Sequence, residues 1–132
     1  MKVKILLGCA LLTAFSISAF GEVDTKYKKD ADISYKKDVY PIFQDYCISC
    51  HSPGGKGYIK SGFDLRTYQS LMKGTKFGPV IQAGSSMTST LNILVSGHAS
   101  PAISMPYGIK DGLPKDKSRI LNRWVDQGAK DN

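Results

Sequence analysis

The sequence predicts an all-α domain. Three observations carry that expectation. Apolar residues recur at helical spacing near both ends of the chain. No segment alternates apolar and polar residues well enough to read as a strand. Between the two ends the chain is dense in glycine, which suits loops wrapped around something rather than long regular elements.

The first residues stand outside that domain. Lys2 and Lys4 precede a mostly apolar run at 5–20, and Ala19 and Gly21 put small residues where a signal peptidase reads. This predicts a signal peptide over 1–21, with cleavage after Gly21. The rival is a retained membrane anchor, but the run is shorter than the roughly 20 residues that span a bilayer. Cys9 follows Leu6, Leu7 and Gly8 as in a lipoprotein box; cleavage there would leave too short an apolar core, so it reads as incidental.

Residues 22–34 are charged and aperiodic and read as a flexible arm before a domain at 35–132. From Val39 the pattern turns helical. Val39, Ile42, Phe43, Tyr46, Cys47 and Cys50 fall on one stripe. With Asp38 as the expected N-cap, Pro41 sits in the first turn, where its missing N–H would be unpaired anyway. The spacing puts both cysteines at the end of this helix on its buried face, with Pro53, Gly54 and Gly55 as the stop.

A short helix is expected over 68–73, capped by Thr67. Another is expected over about 88–95, where Leu91, Leu94 and Val95 make an apolar face and Gly97 ends it. The last helix can start at Pro114, carries Ile120, Leu121, Trp124 and Val125 as its stripe, and has Gly128 at its C-terminal cap. A core made only of these stripes is thin, and a buried apolar cofactor would supply the missing surface.

The chemistry concentrates at 47–51, Cys-Ile-Ser-Cys-His. Loss of the leader would leave Cys47 and Cys50 as the only cysteines, in a compartment where free thiols oxidise. C-x-x-C-H is the attachment pattern for haem c: each thiol adds to one vinyl group, and the adjacent His51 binds iron from the proximal side. A zinc site from Cys47, Cys50, His51 and His98 is the first alternative, but adjacent ligands at 50 and 51 suit a tetrahedron poorly. A redox dithiol is the second, and it would need a βαβ setting that the sequence lacks.

For the other face of the iron, Met105 is the expected ligand. Its thioether is soft and neutral, and Pro106 holds Met105 extended, as a loop approaching a ring must be. His98 is the main competitor, while Met72 and Met87 read as packing residues. Phe43, Tyr46, Leu91, Tyr107, Leu121 and Trp124 are candidates for lining the haem or joining the terminal helices. Arg66, Lys110 and Arg123 are candidates for pairing with propionates.

With these residues in hand, the chain resembles the small c-type cytochromes, and more closely the planctomycete-type cytochrome c domain. The matching stretches are VYPIFQDYCISCH at 39–51, SGFDLRTYQSLMKG at 61–74, GPVIQAGSSMTSTLNILVSG at 78–97, MPYG at 105–108 and LPKDKSRILNRWVDQGA at 113–129. The resemblance implies one covalent haem, with His51 and Met105 as axial ligands. It also implies a mostly helical fold in which the first and last helices pack together. Many relatives start the last helix with acidic residues, where this chain has PKDK.

The expected function is a monohaem electron carrier outside the cytoplasm, not an enzyme. A haem enzyme or small-ligand sensor with a labile sixth ligand is the alternative. Net charge is +7, or +5 once Lys2 and Lys4 leave with the leader, which suits acidic redox proteins as partners. No basic block with interleaved aromatics suggests nucleic acid. Membrane contact is expected only if the leader is retained.

Overall fold

The computed structural model describes residues 31–132. The expected signal peptide and most of the expected arm lie outside these residues. The described chain is helical, with no strand beyond an isolated bridge between Thr75 and Gly78. A π-helical turn at Tyr35–Val39 runs into α1, Tyr40–Tyr46. Then come α2, Lys56–Ser61, α3, Tyr68–Lys73, α4, Thr90–Val95, and α5, Lys115–Asp126. Among the described residues no helix is long and apolar enough to cross a membrane.

The first helix begins earlier than its apolar stripe indicates. Ser34, not Asp38, is the N-cap: its hydroxyl accepts from Lys37 N–H at 3.3 Å. Asp38 answers from within the turn, its carboxylate accepting from Ser34 N–H at 2.8 Å. Two orphan donors are thus satisfied reciprocally, by polar residues that contribute nothing to periodicity. The end of the expected arm is tied down as well. The Ala31 carbonyl accepts from Arg123 and Gln127, and Ile33 N–H donates to Gln127.

The π turn that opens the first helix packs on α5, whereas α1 itself packs on that turn. Val39, Phe43, Leu121, Trp124 and Val125 are fully buried. Tyr35, from the π turn, lies against Trp124 at a centroid distance of 5.5 Å and edge-on to Tyr68 at 5.2 Å. The Trp124 indole N–H donates to the Lys130 carbonyl at 2.9 Å, so a large apolar body is buried without stranding its donor. The C-terminal residues fold back on the start, with Tyr35 N–H donating to Asn132 Oδ1 and Lys36 N–H to the Asn132 carbonyl.

α3 starts as expected, with a reciprocal capping box between Thr67 and Ser70. α4 starts at Thr90, two residues inside the expected boundary, after Ser89. The buried Ser89 hydroxyl is spent on the loop before it, donating to the Ser85 carbonyl and accepting from Gln82 N–H. α4 packs on α5, where Asn92 donates to Asn122 at 2.9 Å. α5 follows Pro114 and ends before Gly128, at φ 99°.

Candidate cofactor site

α1 stops at Tyr46, so the two cysteines lie in a turn beyond the helix and not inside it. Cys47 N–H still donates to the Phe43 carbonyl at 2.9 Å. The chain then curls: Cys50 N–H and His51 N–H both donate to the Cys47 carbonyl, at 3.1 and 2.9 Å. Only Cys47 keeps the inward position expected of both. It is half-buried, whereas Cys50 is exposed, because the tighter turn rotates position 50 off the helical stripe. Both thiols are free. Burial, with Cys50 as a smaller second influence, pushes the Cys47 thiol up to about 12. A dithiol built for exchange has its thiol pushed the other way.

His51 is held from three sides. Its carbonyl accepts from Leu65 N–H at 2.9 Å. Phe63 stands edge-on to the imidazole, with centroids 5.3 Å apart. Gly57, inside α2, lies over the ring: a Cβ there would stand 2.7, 2.8 and 2.9 Å from Cε1, Nε2 and Nδ1. Near-equal distances to three adjacent ring atoms place Gly57 above the ring face rather than beyond its edge. Gly55 makes the companion approach to the Cys50 backbone, and Tyr58 N–H donates to the Cys50 carbonyl at 2.9 Å. α2 is thus fitted against the cysteine–histidine turn.

Burial lowers the His51 pKa, against a smaller opposing pull from the Phe63 backbone, so the ring is neutral at pH 7. Nδ1 is buried and has no hydrogen-bond partner. A neutral imidazole with Nδ1 turned into the protein suits a metal ligand. Among the described residues no three His, Cys, Asp or Glu side chains converge on one point. Cys47, Cys50, His51 and His98 therefore do not make the tetrahedral set that zinc requires. Two thiols spaced along a turn, with the imidazole next to them, instead fit a planar ring stapled at its edge.

Met105 and His98 share one loop, 98–111. Its base is pinched by two left-handed glycines: Gly97, at φ 78°, backs onto the Asp111 carbonyl, and Gly112, at φ 73°, onto the Val95 carbonyl. Met105 N–H donates to the Leu94 carbonyl at 2.8 Å, which ties the middle of the loop back to α4. Met105 is half-buried against the core and precedes a cis bond to Pro106, whereas His98 is exposed. Met72 is half-buried against the core and Met87 is 88 % exposed.

Of the lining candidates, Phe43, Leu121, Trp124 and Leu91 sit in the buried hydrophobic core. Tyr46 is half-buried, but Tyr107 is 83 % exposed and stands outside it. Arg66 pairs with Asp64 at 2.8 Å, Lys110 is exposed, and Arg123 donates to the Ala31 carbonyl. Gly57 and Phe63, which flank His51, escape a reading by motif. No sequence signal marked them, because the stretch around Gly57 has no apolar period and reads as loop.

Residues 47–106 match the family model described as Planctomycete cytochrome C. The match supports a planctomycete-type cytochrome c domain over these residues. The match begins at Cys47 and closes just past Met105, so it takes in the cysteine–histidine turn, α2 to α4 and the MP pair. A cytochrome c domain implies covalently bound haem c and a haem-based role in electron transfer. No curated protein and no solved structure matches the chain.

Proposed function

We propose that this cytochrome c domain is a single-haem electron carrier, exported from the cytoplasm, that passes one electron at a time between redox proteins. The turn from Cys47 to His51 carries this reading: two free thiols beside a neutral imidazole whose Nδ1 faces the protein without a partner. Bound haem supplies a one-electron couple between ferric and ferrous iron. Cys47 and Cys50 would staple it, each S–H adding across a vinyl double bond so that sulfur gains a carbon and the hydrogen goes to its neighbour. His51 would hold the iron through Nε2, braced by Gly57 and Phe63.

Met105 would be the second protein ligand, since the pinched loop ties it to α4 and leaves its side chain half-buried. With His51 and Met105 both holding the iron, substrate would have no place on the metal, and the protein would act as a carrier rather than an enzyme. The net positive charge supports acidic redox partners, and the leader at 1–21 supports a periplasmic or otherwise exported location.

The test uses protein made in a host that attaches haem c. The wild type should keep its haem on a denaturing gel, and Cys47→Ala should weaken or lose it. Met105→Ala should remove the thioether-to-iron charge-transfer band of the ferric protein, and His98→Ala should leave it. The reverse pattern assigns the sixth ligand to His98. A high-spin ferric wild type that binds carbon monoxide or cyanide rapidly would make the protein a sensor or enzyme instead.

A further inference from the structure

We propose that the outer face of α2, continued by the loop at 75–78, is the docking face for an acidic electron-transfer protein. The inference rests on the carrier reading above. At about 100° per residue, Lys56, Ile59 and Lys60 fall on one stripe of α2, and Gly57, Tyr58 and Ser61 on the other side. The second set is half-buried and includes the glycine pressed onto His51; the first set is exposed. One short helix therefore has its inner face on the proposed iron ligand and its outer face in solvent, roughly one helix width (~10 Å) away.

The loop at 75–78 extends the stripe. Lys76 N–H donates to the Ser61 carbonyl at 2.8 Å, which seats the loop on the end of α2. Phe77 is 81 % exposed, with Lys76 Nζ 5.1 Å from its ring centroid, and Ile59 is 69 % exposed. Lys73, the last residue of α3, is also exposed. The face thus combines an aromatic and an aliphatic anchor with four lysines, none of them in an ion pair among the described residues.

Charge decides the partner. Between Asp45 and Asp111 the chain has one acidic residue, Asp64, and its carboxylate is taken up by Arg66. Nothing on this side of the sequence offsets Lys56, Lys60, Lys73 and Lys76. A partner rich in carboxylates around a small apolar centre is the complement, and such a contact is steered by charge and brief, as electron exchange requires.

The experiment uses the haem-loaded protein on gold coated with a carboxylate-terminated alkanethiol, which both attracts cations and takes the electron. At low ionic strength, Lys56→Glu combined with Lys60→Glu should lower the electroactive coverage in voltammetry about tenfold, within the range that steering spans. Lys115→Glu combined with Lys130→Glu changes net charge equally and should lower it less than threefold. Equal losses in both pairs overturn the inference, since net charge alone then governs. Binding to phosphatidylcholine vesicles containing phosphatidylglycerol that disappears in the Lys56/Lys60 variant also overturns it, because the face then takes a lipid surface. No redox wave on any coating refutes the carrier reading itself, and the inference with it.

Discussion

Replacing Gly57 with alanine tests how His51 is held. The added Cβ would stand 2.7 to 2.9 Å from three imidazole atoms, where carbon contacts settle at about 3.5–4.0 Å. The ring or the first turn of α2 must therefore give by roughly 1 Å. Overpacking of this kind costs about 1–3 kcal/mol. Two effects oppose each other, because Gly57 lies inside a helix and alanine there gains about 0.8–1.0 kcal/mol over glycine. The sign is thus diagnostic. If the ring is braced, Gly57→Ala is neutral to destabilising by about 2 kcal/mol. If it is not, the variant is more stable by about 1 kcal/mol, several degrees in a domain of this size. Thermal unfolding of the haem-loaded protein reads the sign, and the ferric low-spin resonance spectrum reads the orientation of the imidazole. A variant with raised melting temperature and unchanged g-values would refute the bracing.

The Tyr35 hydroxyl is buried without a partner, a state that costs about 1–3 kcal/mol, so Tyr35→Phe should raise stability by about 1 kcal/mol in denaturant titration. Burial raises the Tyr35 pKa from 10.0 to about 12, with Tyr40, Asp131 and Tyr68 adding to it. The unfolded chain thus loses this proton first, and Tyr35's contribution, intact below pH 10, falls away between pH 10 and 12; the wild type should lose more stability there than Tyr35→Phe. Asp126 accepts from Ser86 N–H at 2.7 Å and from its hydroxyl at 3.1 Å, so Asp126→Ala should cost about 1–3 kcal/mol in the same titration by stranding a buried amide. Gly112→Ala meets both a left-handed φ and the Val95 carbonyl; it should cost about 2 kcal/mol or more and weaken the charge-transfer band assigned to Met105.

What the sequence revealed and what it hid divide along physical lines. α5 was legible because Leu121, Trp124 and Val125 are buried on a helical period and Gly128 ends it. α3 was legible from Thr67, whose cap is local chemistry. α2 was not. Gly54, Gly55 and Gly57 read as loop, yet Gly55 and Gly57 are there because Cys50 and His51 leave no room for a side chain. Its outward face carries lysines and no apolar stripe, so periodicity had nothing to report. The π turn was hidden for a related reason: Ser34 and Asp38 cap it, and a charged segment ahead of a helix looks like disorder. At the candidate site, the motif singled out Cys47, Cys50 and His51. The departure of Cys50 from the buried stripe came from a turn that helical spacing cannot foresee.

The paired glycines at the neck of 98–111 act as a clasp. Gly97 and Gly112 touch through backbone, so the helices on either side are spaced by the neck and not by what lies beyond it. Residues beyond the clasp can be lengthened or shortened at a cost that grows only with the logarithm of loop length, about 0.6 kcal/mol per doubling. The segment carrying Met105 is in that sense an interchangeable cassette: its sequence can change while the frame around α4 and α5 stays as it is.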